Sequence, residues 1–202
     1  MRRNNILIFS VLLSIIILCF SFYLNSNNSK KFQKQIAKLE RNYNTDVNML
    51  KSDMIAIYEN ERQTLSEDII VKNMKNRDVV MRDIFNINKV LVLRYSNADC
   101  SSCIKYALDE FVNFVKMIDV NRAIIISSMS PVRDLAIMAS TEDIKNNIYS
   151  ALQLGLPFEN QGTPFMFIMD EKLTPQFFFV PRSEFPELTR EYFRMIQPQL
   201  SR

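Results

Sequence analysis

Residues 89–103 read KVLVLRYSNADCSSC. From Val90 to Tyr95 the side chains are apolar almost without interruption, the signature of a short strand covered on both faces; Arg94 is the one charged member. From Ser101 to Ile118 the spacing changes. Ile104, Leu108, Phe111, Val115 and Ile118 share one side of a helix. Cys100 and Cys103 therefore lie where a buried strand gives way to a helix. The first sulfur there faces unpaired amide N–H groups and the positive end of the helix dipole, which stabilises a thiolate. The second lies one helical turn on, close enough to close a small disulfide. Such a pair attacks a substrate disulfide through Cys100 and frees the product when Cys103 attacks the mixed disulfide. Three plainer readings stand beside this one: two buried thiols packed as small hydrophobes, a permanent structural disulfide, and a zinc knuckle. No metal is expected, because the chain has no His and its third cysteine, Cys19, lies in an apolar run far away.

Outward from this junction, strands and helices alternate. Ala123–Ile126 reads as a second buried strand. Ser140-Thr141-Glu142-Asp143 caps a helix running to about Leu154. Phe165–Met169 and Gln176–Val180 are strands joined by a few turn residues and pair as a hairpin. Ser183 and Glu184 open a last helix containing Leu188, Tyr192 and Ile196. Upstream, Asp68–Lys72 and Val79–Met81 are short β-like pieces around an Asn-Arg-Asp turn. The order predicts an α/β fold with a mixed sheet and helices on both faces, built on one core within residues 66–202. Before the hairpin stands Gly162-Thr163-Pro164. Pro164 lacks an N–H, so it belongs at a strand's first position or in a turn. With a cis peptide bond, Thr163 would offer backbone groups to an extended incoming chain; a loop-ending proline is the plainer alternative.

The amino-terminal third is organised differently. After residues 1–5, Ile6–Leu24 is an apolar run long enough to cross a hydrocarbon core of roughly 30 Å as a helix, with Tyr23 at its edge. The bulky Phe20–Leu24 offers no small-residue cleavage site, and Ile17-Leu18 before Cys19 matches a lipoprotein signal poorly. Arg2 and Arg3 favour a cytoplasmic amino terminus, whereas Lys30, Lys31, Lys34 and Lys38 pull the other way. The expectation is a single pass through an inner membrane with the carboxy-terminal domain periplasmic. A polar break at Asn25-Ser26-Asn27-Asn28 leads into a helical spacer, residues 25–65. Its apolar positions Phe32, Ile36, Leu39, Tyr43, Val47, Leu50, Met54 and Ile57 form a heptad-like seam with one stutter. A helix resting on its own domain and a short coiled coil, hence a homodimer, both fit.

Composition excludes several classes of function. Without His there is no Ser–His or Cys–His couple and no His-ligated metal. With two glycines there is no glycine-rich phosphate loop. Lys and Arg number 25 against 22 acids, and no basic cluster interleaved with aromatics occurs, so no nucleic-acid partner is expected.

The strand–CxxC–helix segment and the later GTPFMFIMDEKLTPQFFFV resemble the two halves of a thioredoxin-like domain. With the apolar run in front, the chain is similar to the membrane-tethered TlpA/ResA-like thiol–disulfide oxidoreductases. That resemblance covers most of residues 66–202. It implies a central sheet flanked by helices, no cofactor, and protein thiols or disulfides as partners. It also implies that Cys100 is the nucleophile, Cys103 the resolving thiol, Pro164 the cis-proline facing them, and Thr163 a contact to substrate backbone. Three positions depart from the pattern. Asp99 replaces the usual aromatic and would oppose thiolate formation. Arg94 stands where thioredoxin has a buried acid, so a cation near the pair would favour thiolate. Ser101-Ser102 replaces the frequent Gly-Pro and tunes the potential in its own way. A dedicated role in cytochrome maturation fits the same residues. The alternative of a different class is a redox-inactive binding module carried on a dimerising spacer.

Overall fold

The computed structural model describes residues 2–61, 63–85, 89–128, 144, 147–159 and 161–200, without the side chains of residues 2–12, 16, 17 and 19. The chain divides into two compact units, Met1–Lys51 and Ser52–Arg202. Helix α1, Arg2–Asn60, makes up the first unit, and its last turns belong to the second. It runs straight through Asn25–Asn28, so the expected polar break does not form. The physical reason is local. No Gly or Pro interrupts the segment, and Asn or Ser in a helix interior costs no more than about 0.7 kcal/mol each against Ala. The expected spacer to residue 65 ends as helix at Asn60.

The run 6–24 lies within α1, with many of its side chains outside the described residues. Among the described residues, no helix is long and apolar enough to cross a membrane. Further along α1, Phe32, Ile36, Leu39 and Tyr43 are exposed.

Among the described residues, the second unit is built on one mixed sheet of seven strands: β1 Ile70–Asn73, β2 Asp78–Val80, β3 Val90–Tyr95, β4 Ala123–Ser127, β5 Ile148–Ser150, β6 Phe165–Met169 and β7 Pro175–Phe179. Their order across the sheet is β2-β1-β5-β4-β3-β6-β7. β4 runs parallel to both β3 and β5, while β6 runs antiparallel to β3 and β7. Helix α2, Met81–Ile84, follows β2; α3, Ser101–Val115, follows β3; α4, Pro186–Leu200, ends the fold. This is the central mixed sheet flanked by helices that the sequence implied.

Strand alternation sorts the core into two layers. Leu91, Leu93 and Tyr95 of β3 pack with Ile104, Phe111 and Phe114 of α3 and with Phe193 and Ile196 of α4. Val90 and Val92 point the other way, toward Ala56 of α1, Met81 of α2 and the aromatic group Phe158, Phe165 and Phe178. Every residue of β3 is buried, as a continuous apolar run requires.

The expected helix from 140 to about 154 needs correction. Residues 129–143, 145 and 146 lie outside the described residues, and 148–150 form β5. Ile148 and Ser150 are buried, and the strand pairs with both β4 and β1. Sheet pairing on two sides outweighs the helix-cap pattern that precedes it. The last helix also starts later than Ser183: a turn from Arg182 to Phe185 precedes it, and Pro186 takes the first helical position, where its missing N–H costs nothing.

The end of α1 is tied to the sheet unit. Buried Asn60 donates from Nδ2 to the Ala56 carbonyl at 2.7 Å and accepts from the Phe158 N–H at 3.2 Å. Glu61 accepts from the Phe178 N–H at 2.8 Å, where β7 is bulged and Phe177 takes a φ of +54°. Asp53 pairs with Arg182 through two contacts of 2.7 and 2.5 Å.

Candidate functional site

β3 ends at Tyr95, and a four-residue turn carries the chain to α3. Asp99 shapes this turn. Its two oxygens accept from the Ser96 N–H at 2.8 Å and the Ser96 hydroxyl at 3.0 Å, and its own N–H donates to the Ser96 carbonyl at 3.1 Å. The carboxylate expected to oppose the neighbouring thiolate is thus turned back onto Ser96.

Cys100 is the N-cap of α3 and is exposed; Cys103, in the first turn, is half-buried. The two are joined as a disulfide with their Cα atoms 5.2 Å apart. The Cys103 N–H donates to Cys100 Sγ at 3.2 Å, and Ser102 Oγ lies 3.2 Å from the same sulfur. Ser101 is exposed and has a place in the first turn only. An amide at a helix start aimed at sulfur stabilises negative charge on it once the disulfide opens.

The second expected segment meets the first through the backbone. The Cys100 N–H donates to the Gly162 carbonyl at 3.1 Å. Gly162 takes a φ of +75°, a left-handed conformation that L side chains rarely adopt. This bond brings Gly162-Thr163-Pro164 against the amino end of α3. Pro164 is buried and stands just before β6, consistent with a residue that cannot donate to the ladder. Thr163 is half-buried, and its Oγ1 has no hydrogen-bond partner among the described residues.

Strand alternation sets Arg94 on the face of the sheet opposite α3. There it is 2% exposed and pairs with Glu159, Nε and Nη2 each lying 2.8 Å from Oε1. Its remaining contacts are the Ala151 and Leu152 carbonyls, at 2.9 and 3.0 Å. Glu159 Oε2 in turn accepts from the N–H groups of Leu154 and Gly155 at 2.7 and 2.9 Å. Burial lowers the Arg94 pKa, and the charge and hydrogen bond of Glu159 oppose that shift, with a smaller contribution from Asp99. The cation therefore braces the 151–159 loop, and it lines the same cavity as Asp99, the residue before Cys100. Sequence reasoning missed Glu159. A charged residue inside an otherwise apolar strand does signal a buried counter-charge, without naming which acid supplies it.

A cavity of about 190 Å³ opens beside this junction, lined in part by Arg94, Ser96, Asp99, Glu159 and Thr163. Among the described residues, no cluster of Cys, Asp and Glu is arranged to hold a metal ion.

No family model and no curated protein matches the chain. Among solved structures it is similar to a protein assigned to electron transfer from Aquifex aeolicus, at 7% identity and a TM-score of 0.49, with 67% of this chain and 94% of that one covered. It is also similar to a protein assigned as the thiol:disulfide interchange protein DsbE from Chlorobium tepidum, at 11% identity and a TM-score of 0.47, covering 68% and 96%. A third is the thioredoxin domain of a thiol-disulfide oxidoreductase from Bacteroides vulgatus, at 15% identity and a TM-score of 0.42, covering 65% and 98%. At these identities and scores, the likenesses carry neither a family nor an activity to this chain.

Proposed function

We propose that the chain is a membrane-tethered thiol–disulfide exchange protein of the thioredoxin-like type, acting on protein substrates outside the cytoplasm. One observation carries the reading: an exposed sulfur at a helix N-cap, disulfide-bonded one turn along, with a backbone bond linking it to Gly162-Thr163-Pro164. In the reduced protein, the Cys100 thiolate attacks one sulfur of a substrate disulfide. The S–S bond breaks, a Cys100–substrate disulfide forms, and the other substrate sulfur leaves as a thiolate. Cys103 then attacks Cys100 Sγ, which expels the second substrate thiolate and restores the Cys100–Cys103 disulfide. Two electrons pass to the substrate; the reverse sequence oxidises a dithiol.

Each surrounding residue has a part. The Cys103 N–H holds the attacking sulfur, and Ser102 adds a hydroxyl within reach of it. Thr163 and Pro164 border the approach of the substrate. In the exchange steps themselves Arg94 and Asp99 act indirectly, by fixing the loops on either side.

The tether is supported by the apolar run 6–24, bounded by Arg2 and Arg3, and by the paired thiols, which favour an oxidising compartment. Self-association through α1 is supported by the exposed seam Phe32, Ile36, Leu39 and Tyr43.

The test is turnover of a protein disulfide by the full-length chain in detergent. Activity is expected in the natural protein and should fall by orders of magnitude in Cys100→Ser. Undiminished turnover in that variant contradicts the assignment of the nucleophile. A pair that never changes oxidation state in cells, followed by thiol alkylation, favours the binding-module reading instead.

A further inference from the structure

We infer that the cavity beside the disulfide is a subsite for a cationic, hydrogen-bond-donating side chain, lysine or arginine, flanking the cystine of a protein substrate. The inference rests on the exchange reading above and adds a class of substrate to it. Position is the first argument. One wall of the cavity carries Asp99, which immediately precedes Cys100; another carries Thr163, which immediately precedes Pro164. The Cys100 N–H to Gly162 carbonyl bond joins these walls. A substrate sulfur bonded to Cys100 sets its neighbouring side chains within a residue or two of this opening.

Unsatisfied polar capacity is the second argument. The Arg94 guanidinium is engaged by Glu159 and by the carbonyls of Ala151 and Leu152. Glu159 is engaged by Arg94 and by backbone amides. Neither has much left to offer a ligand. Each Asp99 oxygen accepts one bond from Ser96, which leaves each with capacity for another. Thr163 contributes to the wall, but its Oγ1 is shut off from solvent and does not open into the cavity. The side chains of Asn97, Ser128 and Gln153 also line it and can both donate and accept, so the one charged acceptor with capacity left is the Asp99 carboxylate.

Charge is the third argument. Arg94 and Glu159 cancel, which leaves Asp99 as the net charge of the ionisable groups lining the cavity. An ammonium or guanidinium group balances it; a carboxylate is repelled. Room is not limiting, since about 190 Å³ holds several waters at about 30 Å³ each, and displacing such waters makes space for a long polar side chain.

The experiment compares cystine peptides identical except for the residue next to the reacting cysteine: lysine, norleucine or glutamate. The full-length chain is used, reduced and kept in detergent. kcat/KM for the lysine peptide should exceed that for the glutamate peptide about tenfold. Asp99→Asn should reduce the lysine-to-glutamate ratio threefold or more. A change in the reactivity of Cys100 scales both peptides alike and cancels in the ratio, so a merely structural role for Asp99 leaves it unmoved. Equal rates for all three peptides, or a ratio unaltered in this variant, overturns the subsite while leaving the exchange reading intact. No exchange with any peptide overturns the exchange reading and the subsite with it.

Discussion

Arg94 shows how much one buried side chain can hold in place. It bridges β3 to the 151–159 loop through Glu159, and both side chains are almost fully buried. Removing one partner of such a pair strands the other charge, at about 3–5 kcal/mol. Arg94→Met should therefore lower the denaturant midpoint steeply, and adding Glu159→Gln should recover part of the loss. Breaking the exposed Arg194–Glu191 pair on α4 should change stability by no more than about 1 kcal/mol. Tyr95 sets an alkaline limit. Burial pushes its phenol up to about 12, against a weaker opposing hydrogen bond to Ser127. The unfolded chain loses that proton near pH 10, and the folded chain only near 12. The stabilisation is therefore complete below pH 10 and is lost as the pH rises from there to about 12. Titration of stability across that window should be flatter in Tyr95→Phe, measured by chemical denaturation at each pH. The individual site residues were open to view in the sequence as types at a spacing: Cys100, Cys103 and Pro164. Their meeting through a Gly162 carbonyl was hidden, because residues some sixty positions apart are joined only by the fold. The partner of Arg94 was hidden for the same reason.

Elements with strong periodicity were legible. β3, α3, β4, β6 and β7 lie within a residue or a few of where apolar spacing put them. β5 was not legible. It is three residues long, carries Tyr149 and Ser150, and follows a Ser-Thr-Glu-Asp pattern that reads as a helix cap; only pairing with β1 and β4 makes it a strand. The end of α1 was misjudged because its seam continues smoothly, while its last turns pack into the sheet unit through Ala56, Asn60 and Glu61. A chain beginning at Ser52 should then unfold at nearly the same temperature as the full-length protein. One beginning at Ser66 should lose several kcal/mol, because it forfeits the Asp53–Arg182 pair, the Asn60 bond to Phe158, the Glu61 bond to Phe178 and the burial of Ala56. Equal melting temperatures for the two truncations would show that the α1 end contributes nothing to the sheet unit.

In the whole molecule, the reading joins a thiol pair to a tether. The tether makes a simple demand: in cell membranes washed at alkaline pH, the full-length chain should stay in the pellet, and a chain lacking residues 1–28 should be released. The sulfur chemistry makes a sharper one. Cys103→Ser leaves Cys100 able to attack but removes the thiol that resolves the adduct. When this variant is reduced, mixed with a cystine peptide and analysed by intact and peptide mass spectrometry, the account predicts one peptide per chain, disulfide-linked at Cys100. No adduct, or an adduct at Cys19 with Cys100 still free, would contradict it.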